Sequence, residues 1–416
     1  MKGVFIFTTI VIAVLSASCE KSVVTDSGKE PIEISLTTAE AQVAESGNVN
    51  ALRLFSLILE NDLKSGTPEN ILISPLSLNV ALAMAWNGAV GVTKDEIQNT
   101  LGFEGYTEAD INNYFKKMVE TLPKTDPGVK LSLANSIWHD KGLTVLNGFR
   151  EKNSNFFYAA IESLDFANPS SPGIINKWCS DNTEGIIKDV IDKIDPETVM
   201  FIINALYFKA PWSIKFDKKD TKISPFNLSD GKITDVQMMS LRDKSFGFYE
   251  SDQLKAVSLK YGNGAYNMIV ILPGSGKSVY ETASFISKPG FWSSFVNLLS
   301  ETKIDIYFPK FAFDYKTNLN SPLMEMGMTT PFNRFLADFS LIANVKPNNL
   351  FISKVFQKAA IEVDEEGSEA AAVTVVEVGI TSFPVKKEFR ADKPFLFAIT
   401  ESTTGTILFM GKVNKP

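Results

Sequence analysis

With 416 residues, 44% of them hydrophobic and 21% charged, the chain has apolar side chain enough for a large core and too little low complexity for disorder. Its length allows two or three domains at roughly 150 residues each, or one large fold. A formal net charge of -7 argues against a phosphate-neutralising surface, and so against nucleic acid as a partner. One His and two Cys leave too few ligands for a zinc site built on several of them, and any Ser–His nucleophile pair would have to use His139.

At the amino terminus, Lys2 precedes an apolar run from Val4 to Leu15, about 12 residues where a bilayer span needs roughly 20, and this predicts a signal peptide over residues 1–18. The run ends Leu15-Ser16-Ala17-Ser18-Cys19, which resembles a bacterial lipobox; lipid on Cys19 would attach the mature chain to a membrane of the cell envelope. The alternative is an ordinary secreted protein. With Cys19 lipidated, Cys179 is the one remaining thiol and no internal disulfide forms. Cys179 follows Trp178 in an apolar helical pattern, which predicts a packing residue. Residues 19–46, rich in Ser, Thr and Glu, read as a flexible tether, and 47–416 as a single domain.

Beyond Asn50 no linker or repeat divides the chain, and helical spacing dominates its first half. Ala51, Leu52, Leu54, Phe55, Ile58 and Leu59 mark one amphipathic helix. A second opens at Ser74-Pro75-Leu76-Ser77, with Ser74 as cap and Pro75 at the first helical position, and runs through Met84. Strand-like runs follow at Leu131 to Trp138, Met200 to Phe208, Ala256 to Leu259, Asn267 to Leu272, Lys303 to Phe308, Lys354 to Val363, Phe395 to Thr400 and Ile407 to Val413. Helices early and strands late predict an α+β fold with antiparallel sheets. His139, just after Trp138, reads as a surface or strand-end residue.

The segment from Asp364 to Pro384 is unusual for a connection between strands. From Ser368 to Ile380 the even positions are Ser, Ala, Ala, Thr, Val, Val and Ile, while Glu369 and Glu377 occupy odd ones. That period of two gives one small or apolar face, as in a strand inside a sheet. No proline occurs from Asp364 to Phe383, so each backbone N–H is free to join a ladder. Read alone, the pattern also fits a permanent strand.

The run Glu365-Glu366-Gly367-Ser368-Glu369-Ala370-Ala371-Ala372 resembles the hinge of inhibitory serpins. The same family is matched, in order, by Ile73-Ser74-Pro75-Leu76-Ser77 with Ala81-Leu82-Ala83-Met84, by Asn204-Ala205-Leu206-Tyr207-Phe208-Lys209 with Trp212, and by Phe308-Pro309-Lys310-Phe311. Phe389-Arg390-Ala391-Asp392-Lys393-Pro394-Phe395 and Phe409-Met410-Gly411-Lys412-Val413 complete the resemblance, which covers about Asn50 to Pro416.

The resemblance implies a large central, mostly antiparallel sheet, two smaller sheets, eight or nine helices and an exposed reactive loop over about 365–388. It also implies a protease inhibitor that is consumed in use, not an enzyme. A target serine protease attacks the loop, and the cleaved loop then enters the central sheet while the acyl bond persists. By the family's spacing from the hinge, the resemblance puts the reactive bond between Thr381 and Ser382, with cleavage after Ile380 as the main alternative and after Phe383 as a weaker one. With Val378, Gly379 and Ile380 before it, this suits an elastase-like protease with a small apolar pocket. The family's pattern gives Glu365 and Lys310 a salt bridge where the loop enters the sheet, beside Trp212. It gives Ser74, Ser77 and Asn204 a polar cluster that parts on insertion, with Gln357 standing where the family usually has a histidine. No cofactor, metal or heparin-type polyanion is implied: Lys116, Lys117, Lys124 and Lys130 are scattered among Glu120 and Asp126. The expected form is a monomer, and the alternative role is a non-inhibitory carrier or binding protein.

Overall fold

Helix begins earlier than the composition suggests. In the computed structural model, which describes residues 30–66, 68–345, 350–367 and 387–416, Thr37 and Glu40 form a reciprocal capping box that opens α1 (Thr38–Ser65). Ile34, Val43 and Ala44 are buried in the main core. The tether expected over 19–46 is therefore corrected at its carboxyl end, because the folded body already includes Ile34 and the first turns of α1. Its apolar spacing there is diluted by Glu40, Gln42 and Glu45, which is why the helix was legible only from Ala51. Residues 1–29, with Cys19, lie outside the described residues.

After β1 (Ile71–Ile73) comes α2 (Pro75–Trp86), started as predicted by Ser74, whose hydroxyl accepts from the Ser77 N–H at 3.2 Å. The first half continues through α3 (Gly91–Thr100), α4 (Glu108–Thr121), β2 (Lys130–Asp140), α5 (Asn147–Phe157), β3 (Ala160–Leu164), α6 (Ser171–Asn182) and β4 (Met200–Lys209). The second half holds β5 (Lys222–Asn227), β6 (Ile233–Glu250), β7 (Leu254–Tyr261), β8 (Tyr266–Pro273), α7 (Val279–Ile286), α8 (Phe291–Leu298), β9 (Ser300–Pro309), β10 (Phe311–Asn318), α9 (Asn320–Glu325), β11 (Phe356–Val363), β12 (Glu388–Arg390), β13 (Phe395–Glu401) and β14 (Ile407–Val413). Every strand run predicted from the sequence has its counterpart here, and the fold is α+β.

Three sheets form among the described residues, one large and two smaller. The largest has nine strands in the order β1-β14-β13-β8-β7-β6-β9-β12, with β5 added on β6. A single long strand makes this possible: β6 pairs β5 and β9 along its first half, then β7 and β9 along its second, and its register shifts between Leu241 and Lys244. The sheet expected at the centre is in two parts, β3-β2-β4 and β10-β11. No ladder joins β4 to β11 among the described residues.

Strands β13 and β14 are buried along their whole length, which matches their near-continuous apolar sequence. A second, smaller core of Trp138, Phe166, Ile175, Cys179, Ile187, Val190, Ile191 and Ile203 lies under α6. Cys179 packs there, and burial pushes its thiol up to about 12, so it is inert as a nucleophile. His139 stands at the end of β2 but is buried, not at the surface: its Nδ1 lies 3.0 Å from the Asp140 carbonyl and its Nε2 2.8 Å from Nη2 of Arg150.

Gly411, in the middle of β14, has no room for a side chain. A Cβ there would sit 2.3 Å from the Phe397 ring and 2.9 Å from the Ile71 carbonyl oxygen. Gly411→Val is expected to destabilise the intact protein by about 2 kcal/mol or more, seen as an earlier midpoint in a urea melt. An unchanged midpoint contradicts this packing.

Candidate functional site

Strand β11 ends at Val363, and the chain then turns back on itself. The Asp364 N–H donates to the Gly367 carbonyl at 3.0 Å, leaving Glu365 and Glu366 as the turn, while the Asp364 carboxylate accepts from the Glu366 N–H at 2.9 Å. Gly367 has φ 136, and a Cβ on it would lie 2.2 Å from the Ala210 carbonyl oxygen. Only glycine fits this close approach. Gly367 bridges to Pro211 in antiparallel sense. The Trp212 N–H donates to the Glu366 carbonyl at 2.8 Å, and the Phe216 N–H to that of Glu365 at 2.9 Å.

The side chains lock the same turn. Glu365 receives Lys310 Nζ at 2.8 Å and the Thr221 hydroxyl at 2.8 Å. Glu366 receives Lys215 Nζ at 2.8 Å. Trp212 donates its indole N–H to the Asp364 carbonyl at 2.9 Å and stacks on Tyr261 with ring centroids 4.3 Å apart. Burial pushes the Glu365 carboxyl up, but the hydrogen bonds from Lys310 and Thr221 and the Lys310 charge outweigh it, and the group titrates below its ordinary value. Glu365, Lys310 and Trp212 are thus brought together as the sequence reading expected. Glu365 and Glu366 are buried, however, so the segment expected to be exposed from 365 begins inside the body. At its other end, Glu388 already belongs to β12.

Below the hinge, α2 props both halves of the divided sheet. Gln357 of β11 makes a two-point contact with Ser74: its Oε1 accepts from the Ser74 N–H at 2.8 Å and its Nε2 donates to the Ser74 carbonyl at 2.8 Å. The Ser74 hydroxyl donates to the Leu408 carbonyl at 2.7 Å, tying the site to β14. On the other side, the Ser77 hydroxyl lies 3.4 Å from the Asn204 carbonyl of β4. Asn204 donates from Nδ2 to Asn135 Oδ1 at 2.6 Å, and Asn135 donates to the Phe157 carbonyl at 2.7 Å. The Oδ1 of Asn204 is buried with no partner among the described residues. Between the two halves runs a cleft of about 1130 Å³, lined by Ser77, Leu82, Asn204, Ala205, Val355 and Gln357 among others.

Of the four residues expected in the polar cluster, Ser77, Asn204 and Gln357 line this cleft, and Ser74 joins them through its backbone contact with Gln357. Asn135, Thr221 and Lys215 join the site without having been singled out. Their signals in sequence are a lone Asn in an apolar strand run and a Thr and a Lys in a polar turn, which a single chain does not distinguish from surface. Ser368, Glu369, Ala370, Ala371, Ala372, Thr381 and Ser382 lie outside the described residues.

Comparison with known proteins gives the same answer from three directions. A family model described as serpin (serine protease inhibitor) matches residues 46–416. An uncharacterised serpin-like protein of Thermococcus kodakarensis is 34% identical, covering 92% of this chain and 89% of its own length. Leukocyte elastase inhibitor A of Rattus norvegicus is 32% identical, covering 88% and 99%. Among solved structures, the thermophilic serpin tengpin in its native state superposes with a TM-score of 0.80 at 29% identity, covering 93% of this chain and 97% of that one. With its hinge turn, its propped and divided sheet and a family match that runs to the last residue, the chain belongs to the serpin family.

Proposed function

We propose that this chain is an irreversible inhibitor of serine proteases, and that β4 and β11 receive the cleaved loop as a strand between them. The observation that carries this reading is a coincidence of two registers. The antiparallel pairing of Gly367 with Pro211, continued down β4, would set Thr374 opposite Asn204. The pairing of Asp364 with Gly367, continued down β11, would set Thr374 opposite Gln357. Two registers, one taken from an isolated bridge and one from a turn hydrogen bond, would thus bring one loop residue to the polar cluster. A threonine hydroxyl there supplies a donor for the buried Asn204 Oδ1. In the same registers Ala370 would meet Phe208 and Ala372 would meet Leu206, small against large, and the even face of an inserted loop would share the side on which Gln357, Ala359 and Val363 are buried.

The chemistry follows from the order of events. The protease serine attacks the Thr381 carbonyl carbon, the bond to the Ser382 nitrogen breaks, and Thr381 is left as an acyl ester on the enzyme. Insertion of about 14 residues at roughly 3.3 Å each carries that ester some 45 Å, about the width of a small protease. If each new ladder bond nets roughly 0.5–1.5 kcal/mol, insertion releases on the order of 10 kcal/mol, enough to distort a marginally stable enzyme before water cleaves the ester. The residues Val378, Gly379, Ile380 and Thr381 favour an elastase-like target, and the rat relative is named for inhibiting leukocyte elastase. Export with lipid on Cys19 belongs to the same proposal and rests on the Leu15–Cys19 motif.

The test mixes purified protein with an elastase and resolves the products on a denaturing gel. The expected result is a heat-stable adduct together with a released peptide that starts at Ser382. Ala372→Arg is expected to be cleaved at the same bond with adduct reduced to near zero, because insertion would bury an unpaired charge. Complete cleavage of the unmodified protein without adduct overturns the inhibitory reading.

The hinge adds a pH dependence. Because the folded Glu365 carboxyl lies below its ordinary value of 4.5, its contribution is complete above that value and is lost as pH falls through the folded one. Gln357, unlike a histidine, does not change charge near neutrality. Inhibitory capacity after incubation is expected to stay constant from about pH 8 to about pH 6 and to decay faster below about pH 4.5. A step between pH 6 and 7 contradicts this assignment.

A further inference from the structure

Asp126 lies between Lys124 and Lys130 in the sequence, yet it is 1% exposed and has no ion pair among the described residues. Backbone holds it instead. Its Oδ1 accepts from the Gly128 N–H at 2.7 Å and its Oδ2 from the Asn263 N–H at 2.7 Å. Hydrogen bonds to an ionised acceptor are shorter and stronger than those between neutral groups. A buried carboxylate without a cation is costly, so this one persists through those two donors and holds them in return.

What Asp126 grips is the turn between β7 and β8. Gly262 has φ 50, and a Cβ on it would lie 2.0 Å from Asp126 Oδ2, so the turn presses on the carboxylate at a position that only glycine permits. From the turn, two bonds run to the segment that faces the hinge. The Gly262 N–H donates to the Pro211 carbonyl at 2.8 Å, and the Ser213 hydroxyl donates to the Gly262 carbonyl at 2.7 Å. Proline has no N–H, so the carbonyl is the backbone group by which Pro211 is held. Gly367 bridges to this same Pro211, and the next residue, Trp212, donates its N–H to the Glu366 carbonyl. Asp126 and the hinge are thus joined through the turn and Pro211 by one unbroken run of short contacts.

We propose that Asp126 is a positioning residue for loop insertion: it fixes where Pro211 stands, and with it the first pair that an inserting strand would extend. The proposal rests on the insertion reading given above. Insertion races hydrolysis of the acyl ester, and a first pair already seated spares the cleaved loop the cost of finding its register. Loosening Asp126 would slow insertion while leaving the residues around the cleaved bond unchanged.

The test compares the full chain with Asp126→Asn, Ser213→Ala and the double variant. Hydrogen exchange of the intact proteins is read at the Trp212 and Phe216 amides, which donate to the hinge carbonyls, and at the amides of β13 and β14 as an internal reference. Asp126→Asn keeps the side chain's shape but sets an NH2 group against one of the two N–H donors. It is expected to speed exchange at the two hinge amides by at least about 10-fold, with the reference amides unchanged. Ser213→Ala should act in the same direction, and the double variant should fall short of the two effects combined, as residues in one run of contacts do. With an elastase, each variant should be attacked at the parental rate while a larger share of molecules is cleaved without forming adduct. Hinge amides that exchange at the parental rate in Asp126→Asn, or exchange that rises equally at every amide, overturn the proposal. If Asp126→Asn does not fold, Ser213→Ala carries the same comparison. An unmodified chain that forms no adduct overturns the inhibitory reading alone, because the exchange comparison needs no protease.

Discussion

Backbone hydrogen bonding across the β4–β11 cleft is the constraint on which the rest depends. A strand edge presents a row of N–H and C=O groups, and such groups are costly to bury without partners. Here the edges of β4 and β11 look toward one another with no ladder between them among the described residues. The helix beneath them, α2, holds each edge near its start: the Ser74 backbone pairs with the Gln357 side chain, and the Ser77 hydroxyl donates to the Asn204 carbonyl. The sheet is thus kept apart by the contacts that define its spacing, and a strand of suitable length satisfies both edges at once.

What would fill the cleft is attached directly above it. Gly367 packs so closely on Ala210 and Pro211 that no larger residue fits, and the turn before it is fastened by Lys310, Thr221, Lys215 and Trp212. These contacts begin the two ladders that a strand between β4 and β11 would extend, and they fix its register at the first pair. The hinge is therefore a nucleus already in place. Extending it adds a bond on each side per pair of residues, without the cost of bringing distant segments together.

Much of this was legible in the sequence because it rests on short-range patterns. Ser74 followed by Pro75 announces a helix start, and Trp212, Lys310, Asn204 and Gln357 stand in motifs that resemble a known family. What was not legible depends on distant partners. Asn135 is one polar residue in an apolar strand until Asn204 is seen opposite it. Lys412 is a charged residue in a closing apolar strand, and its side chain is fully buried against Asp62 of α1 and Tyr280 of α7. The start of α1 was missed because its first turns bury one face with few large apolar residues. The long strand β6 was not predicted at all, and the shift of register within it leaves no mark in composition.

The central claim is that the intact molecule is less stable than the molecule with its loop inserted. The direct measurement is calorimetry of the intact protein and of the protein nicked once between Thr381 and Ser382, under identical conditions. The account predicts that nicking raises the melting temperature by tens of degrees, as the two edges gain on the order of 10 kcal/mol of new ladder bonds. A nicked protein that melts at or below the temperature of the intact one would contradict it.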